Sequence, residues 1–167
     1  MPLNILLRRL VDIALLRAGP QDLPYSTQLL GLCAAAAALA TFLGMARFSA
    51  DSGAILPVVV LIGFNFAFLY AVLNIRRLLP RLVQTATALF GVDTLITVLA
   101  LPLIGMARPE GGSPLTTIAI AGLLIWNLAA VAHILRQALD TTMAAGVAVA
   151  MAYVLGGTFI VQTVAGA

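Results

Sequence analysis

Hydrophobic residues dominate five long stretches of the chain, each close to the length that crosses a lipid bilayer. The stretches are residues 27–48, 55–75, 82–107, 115–135 and 142–164. A helix needs about 20 mostly apolar residues to cross the ~30 Å hydrocarbon core. Helices satisfy their own backbone hydrogen bonds, which open strands in lipid do not. The pattern therefore predicts an all-α membrane protein, a bundle of five transmembrane helices.

The first 18 residues show a different pattern. Asn4, Arg8 and Asp12 recur every four positions, and Leu, Ile and Val fill most of the rest. A narrow polar stripe on a broad apolar body is typical of an amphipathic helix, and this one is too short and too charged to span. We therefore predict an in-plane interfacial helix over 1–18 and a five-span domain over 19–167. Gly19-Pro20 is predicted to end the helix, and Ser26 to cap the first span.

Composition excludes a water-soluble globular protein. Hydrophobic residues make up 62% of the 167 positions and charged residues 9%, against ~45–50% and ~25% in soluble domains. The one cysteine, Cys33, lies in an apolar stretch and has no partner for an intrachain disulfide.

Arginine is distributed unevenly between the two sides that five spans define. Seven arginines fall on one side and two, Arg47 and Arg108, on the other. The seven are Arg8, Arg9, Arg17, Arg76, Arg77, Arg81 and Arg136. Because positive loops stay in the cytoplasm, we expect a multi-pass protein of the cell inner (plasma) membrane with a cytoplasmic N-terminus and an outer C-terminus.

Catalytic and metal-binding motifs are missing from the sequence. Metal sites need several His, Cys or carboxylate ligands, and the chain has one His, one Cys and six scattered acids. We therefore expect no enzymatic activity, no cofactor and no metal. His133 is interpreted as an interfacial anchor, with a proton relay as the alternative.

A few polar residues fall inside the predicted spans and form a candidate intramembrane site: Asp93, Asn65, Asn127 and Thr97. Asp93 lies 12 residues past Arg81, roughly 18 Å along a helix. A carboxylate at that depth costs at least ~2.5–3.5 kcal/mol unless it is protonated, paired or hydrated. We expect Asp93 to face the bundle interior beside Thr97, with Asn65 or Asn127 as amide donor. Both a structural hydrogen bond and a titrating role fit this pattern.

Two stripes of small residues predict close helix packing. They repeat every four positions, as Ala36, Ala40 and Gly44 in the first span and Ala148, Ala152 and Gly156 in the fifth. The plain interpretation is a compact bundle. The alternative is a face for a membrane protein partner or a second copy of the chain; the lipid bilayer is the expected surrounding, and no nucleic acid is expected.

The layout resembles the small bacterial Yip1-like membrane proteins. The resemblance rests on Gly19-Pro20-Gln21-Asp22-Leu23-Pro24-Tyr25-Ser26 before the first span and on Gln84-Thr85-Ala86-Thr87-Ala88-Leu89 in the third. It implies a cytoplasmic N-terminal segment followed by five closely spaced spans. The Asp-Leu-Tyr-Gly-Pro-like entry of eukaryotic relatives, which are similar to trafficking factors, is replaced here by Asp22-Leu23-Pro24-Tyr25. No functional residue carries over.

Two functions fit these observations. Short loops and small-residue faces favour a non-enzymatic membrane scaffold or an accessory subunit of a membrane complex. The alternative is a small transporter or channel that uses Asp93 with Asn65 and Asn127. A faint internal repeat, Phe64-Asn65-Phe66-Ala67 against Trp126-Asn127-Leu128-Ala129, is compatible with transport but also with chance.

Overall fold

The computed structural model describes residues 3–46, 55–106 and 113–165, and these fold into six α-helices. The helices are α1 Leu3–Ala14, α2 Thr27–Met45, α3 Ile55–Ile75, α4 Leu82–Met106, α5 Pro114–Ala138 and α6 Met143–Ala165. Short 3-10 helices at Pro20–Asp22 and Leu79–Arg81 precede α2 and α4. Five helices, α2 to α6, are long and apolar enough to cross a membrane. The predicted all-α membrane fold is confirmed.

The observed spans follow the predicted ones closely. The bounds of α3 are those predicted, and α5 continues three residues past the predicted end at 135. The Ser26 hydroxyl accepts a hydrogen bond from the Leu29 backbone N–H at 3.2 Å, so the predicted cap of the first span is confirmed. Pro102 lies inside α4, and the helix continues to Met106. Arg47 and Arg108 lie outside the described residues.

The N-terminal helix is shorter than predicted, because it ends at Ala14 rather than at Gly19-Pro20. Leu16 takes a left-handed conformation with φ 63°. The Arg17 N–H then bonds to the Asp12 carbonyl at 2.8 Å. This pattern closes a helix by satisfying one of its last carbonyls. The same left-handed turn follows α3 at Arg77 and α5 at Asp140.

Helix α4 is the centre of the bundle. It contacts α1, α2, α3 and α5, while α6 packs against α5 and α3. We call the end where α3 and α5 finish and α2, α4 and α6 begin the Arg-rich end. Near it, every residue of α4 from 85 to 92 is buried, as is every residue of α5 from 130 to 135. The half of the bundle next to the Arg-rich end is therefore close-packed.

The small-residue face of α2 includes two of the three predicted residues, Ala40 and Gly44, but not the third. Cys33, Ala37 and Ala40 are buried, and a Cβ on Gly44 would lie 3.9 Å from a leucine of α4. Ala36, the first member of the predicted stripe, is exposed. A strict four-residue spacing rotates about 40° per step around a helix of 3.6 residues per turn. The contact face instead follows alternating steps of four and three residues.

Helix α6 needs the same correction for the same reason. Gly146, Ala150 and Gly157 are buried, whereas Ala148 and Ala152 of the predicted stripe are exposed. Its third residue, Gly156, does pack, because a Cβ there would lie 2.8 Å from the Phe64 ring of α3. A Cβ on Gly146 would lie 2.9 Å from a backbone carbonyl oxygen of α5. Only glycine allows the two backbones to approach this closely.

Helix α1 packs on the bundle through one apolar face. Leu10, Ile13 and Ala14 are buried in the main core, and Leu6 packs against them. This face contacts α4 and α5, so protein rather than lipid covers it.

The rest of α1 is divided between apolar and charged residues. Leu7 and Val11 are exposed apolar residues, and Arg8 and Arg9 are exposed on other sides of the helix. Leu10 of α1 lies beside Gly91, nine residues past the start of α4 and roughly 13 Å from the Arg-rich end, so α1 lies deeper along the bundle than the ends of the spans.

Candidate intramembrane polar site

Asp93 of α4 and Asn127 of α5 form the polar pair at the centre of the candidate site. The Asn127 Nδ2 donates a hydrogen bond to the Asp93 Oδ1 across 3.4 Å. Each residue lies 11 positions from the Arg-rich end of its helix, roughly 16 Å along the axis. Both side chains are partly exposed. The structure thus brings together two of the four predicted site residues, at the depth that the sequence indicated.

Tyr153 of α6 is a third polar residue at this level, and sequence analysis missed it. It lies 10 residues into its helix, about 15 Å from the Arg-rich end. Its ring packs on Phe64 and Phe68 of α3, with centroid distances of 6.2 and 5.4 Å. The signal was available, because tyrosine is rare at the middle of a span and is usual at the interfaces.

Asn65 and Thr97 occupy the same region without joining the pair. Asn65 of α3 is 7% exposed, and Thr97 lies one helical turn beyond Asp93 on α4. Among the residues that the structure describes, no hydrogen bond connects either side chain to Asp93. Of the two asparagines proposed as amide donor, Asn127 is the one that donates.

Asp93 marks a boundary along the bundle. Towards the Arg-rich end, α4 is buried over eight consecutive residues, 85–92. Beyond Asp93, in the other direction, Val98 and Leu99 are 51% and 54% exposed. Helix α5 changes in the same way, from its buried segment 130–135 to Ile125, which is 70% exposed. The Asp93 carboxyl group therefore lies where the continuously buried segments of α4 and α5 end.

Three side chains of the bundle hold the N-terminal segment by its backbone carbonyls. Trp126 Nε1 donates to the Ala14 carbonyl at 2.7 Å, and Gln84 Nε2 donates to the Leu23 carbonyl at 2.6 Å. His133 Nε2 lies 3.1 Å from the carbonyl of Ala18. Trp126, Gln84 and His133 come from α4 and α5. His133 is 7% exposed, and it contacts the N-terminal segment rather than the surface of the bundle.

Gln137 extends this network to the surface at the Arg-rich end. Its side-chain amide lies 2.7 Å from His133 Nε2, and its Oε1 accepts from Gln21 Nε2 at 2.7 Å. The single His133 Nε2 bonds only one of these neighbours at a time, because the Ala18 carbonyl needs a protonated Nε2 and the Gln137 amide N–H needs an unprotonated one. The N-terminal segment therefore belongs to the folded bundle.

Two arginines donate hydrogen bonds to backbone carbonyls at the C-terminal end of α5. Arg81 Nη1 donates to the Ala138 carbonyl at 3.1 Å and to the Gln137 carbonyl at 3.4 Å. Arg76 Nη2 donates to the Leu139 carbonyl at 3.4 Å. Positive charge at a helix C-terminus interacts favourably with the helix dipole and satisfies carbonyls that lack a partner. These arginines therefore have a local structural role besides any effect on orientation.

Within the described ranges, no group of three His, Cys, Asp or Glu side chains could hold a metal ion. Comparisons with models of protein families, with curated proteins and with solved structures find no match to this chain. Any function assigned to the chain must therefore rest on the bundle, its intramembrane pair and its surfaces.

Proposed function

We propose that this protein is a non-enzymatic scaffold or accessory subunit of a membrane complex. The observation that supports this best is the close packing between Asp93 and the Arg-rich end. Eight consecutive residues of α4 and six of α5 are buried there, and α1 packs on both helices. A permeation pathway needs polar or hydrated lining along its length, whereas a packed core of this kind suits a rigid structural element.

The intramembrane pair fits the same proposal. Asp93 has an amide donor in Asn127, and hydrogen bonds between spans hold helices together at ~0.6–2 kcal/mol each. On this account, Asp93 is a structural residue. The carboxyl group fixes the angle and register of α4 against α5, and no substrate is required to explain it.

Association with a partner would use the outer surfaces of the spans. Gly31, Gly63 and Gly122 are exposed on α2, α3 and α5, and a Cβ added to any of them would meet nothing within 4 Å. Exposed backbone of this kind lets another helix approach closely in lipid. The proposed partner is a membrane protein or a second copy of this chain.

We further propose that the Arg-rich end faces the cytoplasm of a cell inner (plasma) membrane, in accordance with the excess of positive charge there. The N-terminus would then be cytoplasmic and the C-terminus outside. The short loops and the N-terminal segment also resemble the layout of small bacterial Yip1-like proteins.

The test is purification from native membranes in mild detergent, followed by mass analysis of the intact particle. A scaffold or accessory subunit should be recovered with a second membrane protein, or with further copies of itself, in fixed stoichiometry. The variant Gly122→Ile places a branched side chain on one of these exposed glycine faces, and it should reduce the recovery of the particle. Recovery of a monomer from gently extracted membranes would contradict the proposal.

A second candidate, a small transporter, is favoured by one observation. Asp93 lies where the continuously buried segment of α4 ends, and it is itself partly exposed. A transporter open to one side would place a titrating carboxyl group at such a position. Uptake of a solute by proteoliposomes that is lost in Asp93→Asn would support transport over the scaffold.

A further inference from the structure

A polar cavity of about 400 Å³ opens at the Arg-rich end, separate from the Asp93 site. Its wall includes Pro20 of the N-terminal segment, Arg81 and Gln84 beside the start of α4, and Gln137 and Asp140 at the end of α5. Cavities of ~300–1,000 Å³ are typical of sites for small molecules. The position is notable because three separate parts of the chain meet there.

Arg81 supplies the cavity with a fixed positive charge. Its Nη1 is engaged by the carbonyls of Gln137 and Ala138. The guanidinium group has five N–H donors in a rigid plane, so the Nη2 and Nε groups retain donors for a ligand. The bonds to α5 hold this plane in place before any ligand binds.

Two residues with acceptor groups line the same cavity. Gln84 donates its amide N–H to the Leu23 carbonyl, which leaves Oε1 as an acceptor. Asp140 is exposed, follows α5 in a left-handed turn with φ 50°, and is a lining residue of the cavity. The cavity therefore combines one cation, one anion and one amide oxygen.

The position of the cavity along the bundle indicates which kind of ligand can reach it. Arg81 immediately precedes α4, and Asp140 lies just past the end of α5. The ends of transmembrane helices lie at the level of lipid headgroups. A lipid in the leaflet at the Arg-rich end thus has its headgroup beside the opening.

We propose that this cavity binds the zwitterionic headgroup of a phospholipid with a primary amine, a phosphoethanolamine. The phosphate oxygens accept from the free N–H groups of Arg81, since guanidinium and phosphate are complementary in shape and charge. The ammonium group donates to the Asp140 carboxylate and to the Gln84 Oε1. A choline headgroup has no N–H to donate, and a glycerol headgroup has no cation for Asp140. This proposal stands whether the protein is a scaffold or a transporter.

The experiment measures lipid binding to the full chain in detergent by native mass spectrometry. Phosphatidylethanolamine, phosphatidylcholine and phosphatidylglycerol with the same acyl chains are titrated separately. We expect the ethanolamine lipid to bind about tenfold more tightly than either of the others, a difference that a pair of ionic contacts can supply. Equal binding of the ethanolamine and choline lipids would overturn the proposal.

Asp140→Asn is the decisive variant. Asparagine tolerates the left-handed backbone, so the fold should survive while the carboxylate is lost. The preference for ethanolamine over choline should then disappear. Arg77→Asn is the matched control, because Arg77 is exposed at the same end, also has a positive φ of 57°, and does not line the cavity. It should keep the preference. An unchanged preference in Asp140→Asn would contradict the site.

A final arm distinguishes the lipid from a soluble source of the same chemistry. Free phosphoethanolamine is added as competitor to the complex with the ethanolamine lipid. The lipid site predicts weak competition, because the free compound lacks the glycerol and acyl contacts. Binding of the free compound as tightly as the lipid would assign the cavity to a soluble ligand and refute the lipid assignment.

Discussion

The indole N–H of Trp126 donates a hydrogen bond to the backbone carbonyl of Ala14 across 2.7 Å. Ala14 is the last residue of α1, where carbonyls have no partner within the helix. Trp126 lies 12 residues before the end of α5, roughly 18 Å along its axis. The Trp126 N–H and the Ala14 carbonyl thus satisfy each other's hydrogen-bonding capacity at a depth where water is scarce.

Trp126→Phe tests this contact. Phenylalanine keeps an aromatic ring and removes the N–H, so the Ala14 carbonyl loses its donor. We expect the free energy of unfolding to fall by about 1 kcal/mol and amide hydrogen exchange in residues 3–14 to accelerate. Tyr25→Phe is the control, because Tyr25 is 68% exposed. Unchanged exchange in α1 of Trp126→Phe would show that the bond does not hold the helix.

Gly91→Leu tests the docking of α1 on α4. A Cβ on Gly91 would lie 2.6 Å from the Leu10 Cδ2, so a leucine would displace α1. We expect a loss of about 1–3 kcal/mol, as for other overpacked cores. Ala36→Leu is the control, because it introduces the same side chain on an exposed face of α2. Equal thermal stability of the two variants in detergent would contradict the docking.

Adjacent alanines test the corrected face of α2. Ala37 is 1% exposed, whereas Ala36 is exposed. Ala37→Leu should destabilise the bundle by about 1–3 kcal/mol because the side chain enters the contact with α4. Ala36→Leu should leave the midpoint of thermal unfolding nearly unchanged. A larger loss of stability in Ala36→Leu than in Ala37→Leu would contradict this face and favour the predicted stripe with Ala36.

These examples separate what the sequence predicts from what it leaves open. The spans were predictable because the bilayer sets their length and lipid excludes polar residues. The depth of Asp93 followed from counting residues along a helix. The contact faces of α2 and α6 were not predictable, because small residues occur on several sides of each helix. Which side is buried depends on the helix that packs against it. The bond from Trp126 to Ala14 joins positions 112 residues apart, and no local pattern reports it.

The proposed topology has its own test. Five spans place the two termini on opposite sides of the membrane. A reporter active only outside the cytoplasm, fused after Ala167, should be active. The same reporter inserted between Arg76 and Arg81 should be silent, because that loop lies at the Arg-rich end. Activity at Arg76–Arg81, or silence after Ala167, would contradict the orientation.

The scaffold account depends most directly on Asp93, and the Asp93→Asn variant tests it. Asparagine keeps the shape and can still accept a hydrogen bond from Asn127, but it cannot titrate. The account predicts unchanged thermal stability and unchanged recovery of the native particle. In Asp93→Leu, Asn127 loses its acceptor, and stability should fall by about 1–3 kcal/mol. A stably folded Asp93→Asn protein that has lost its association or a solute-uptake activity would contradict the account and assign a titrating role to Asp93.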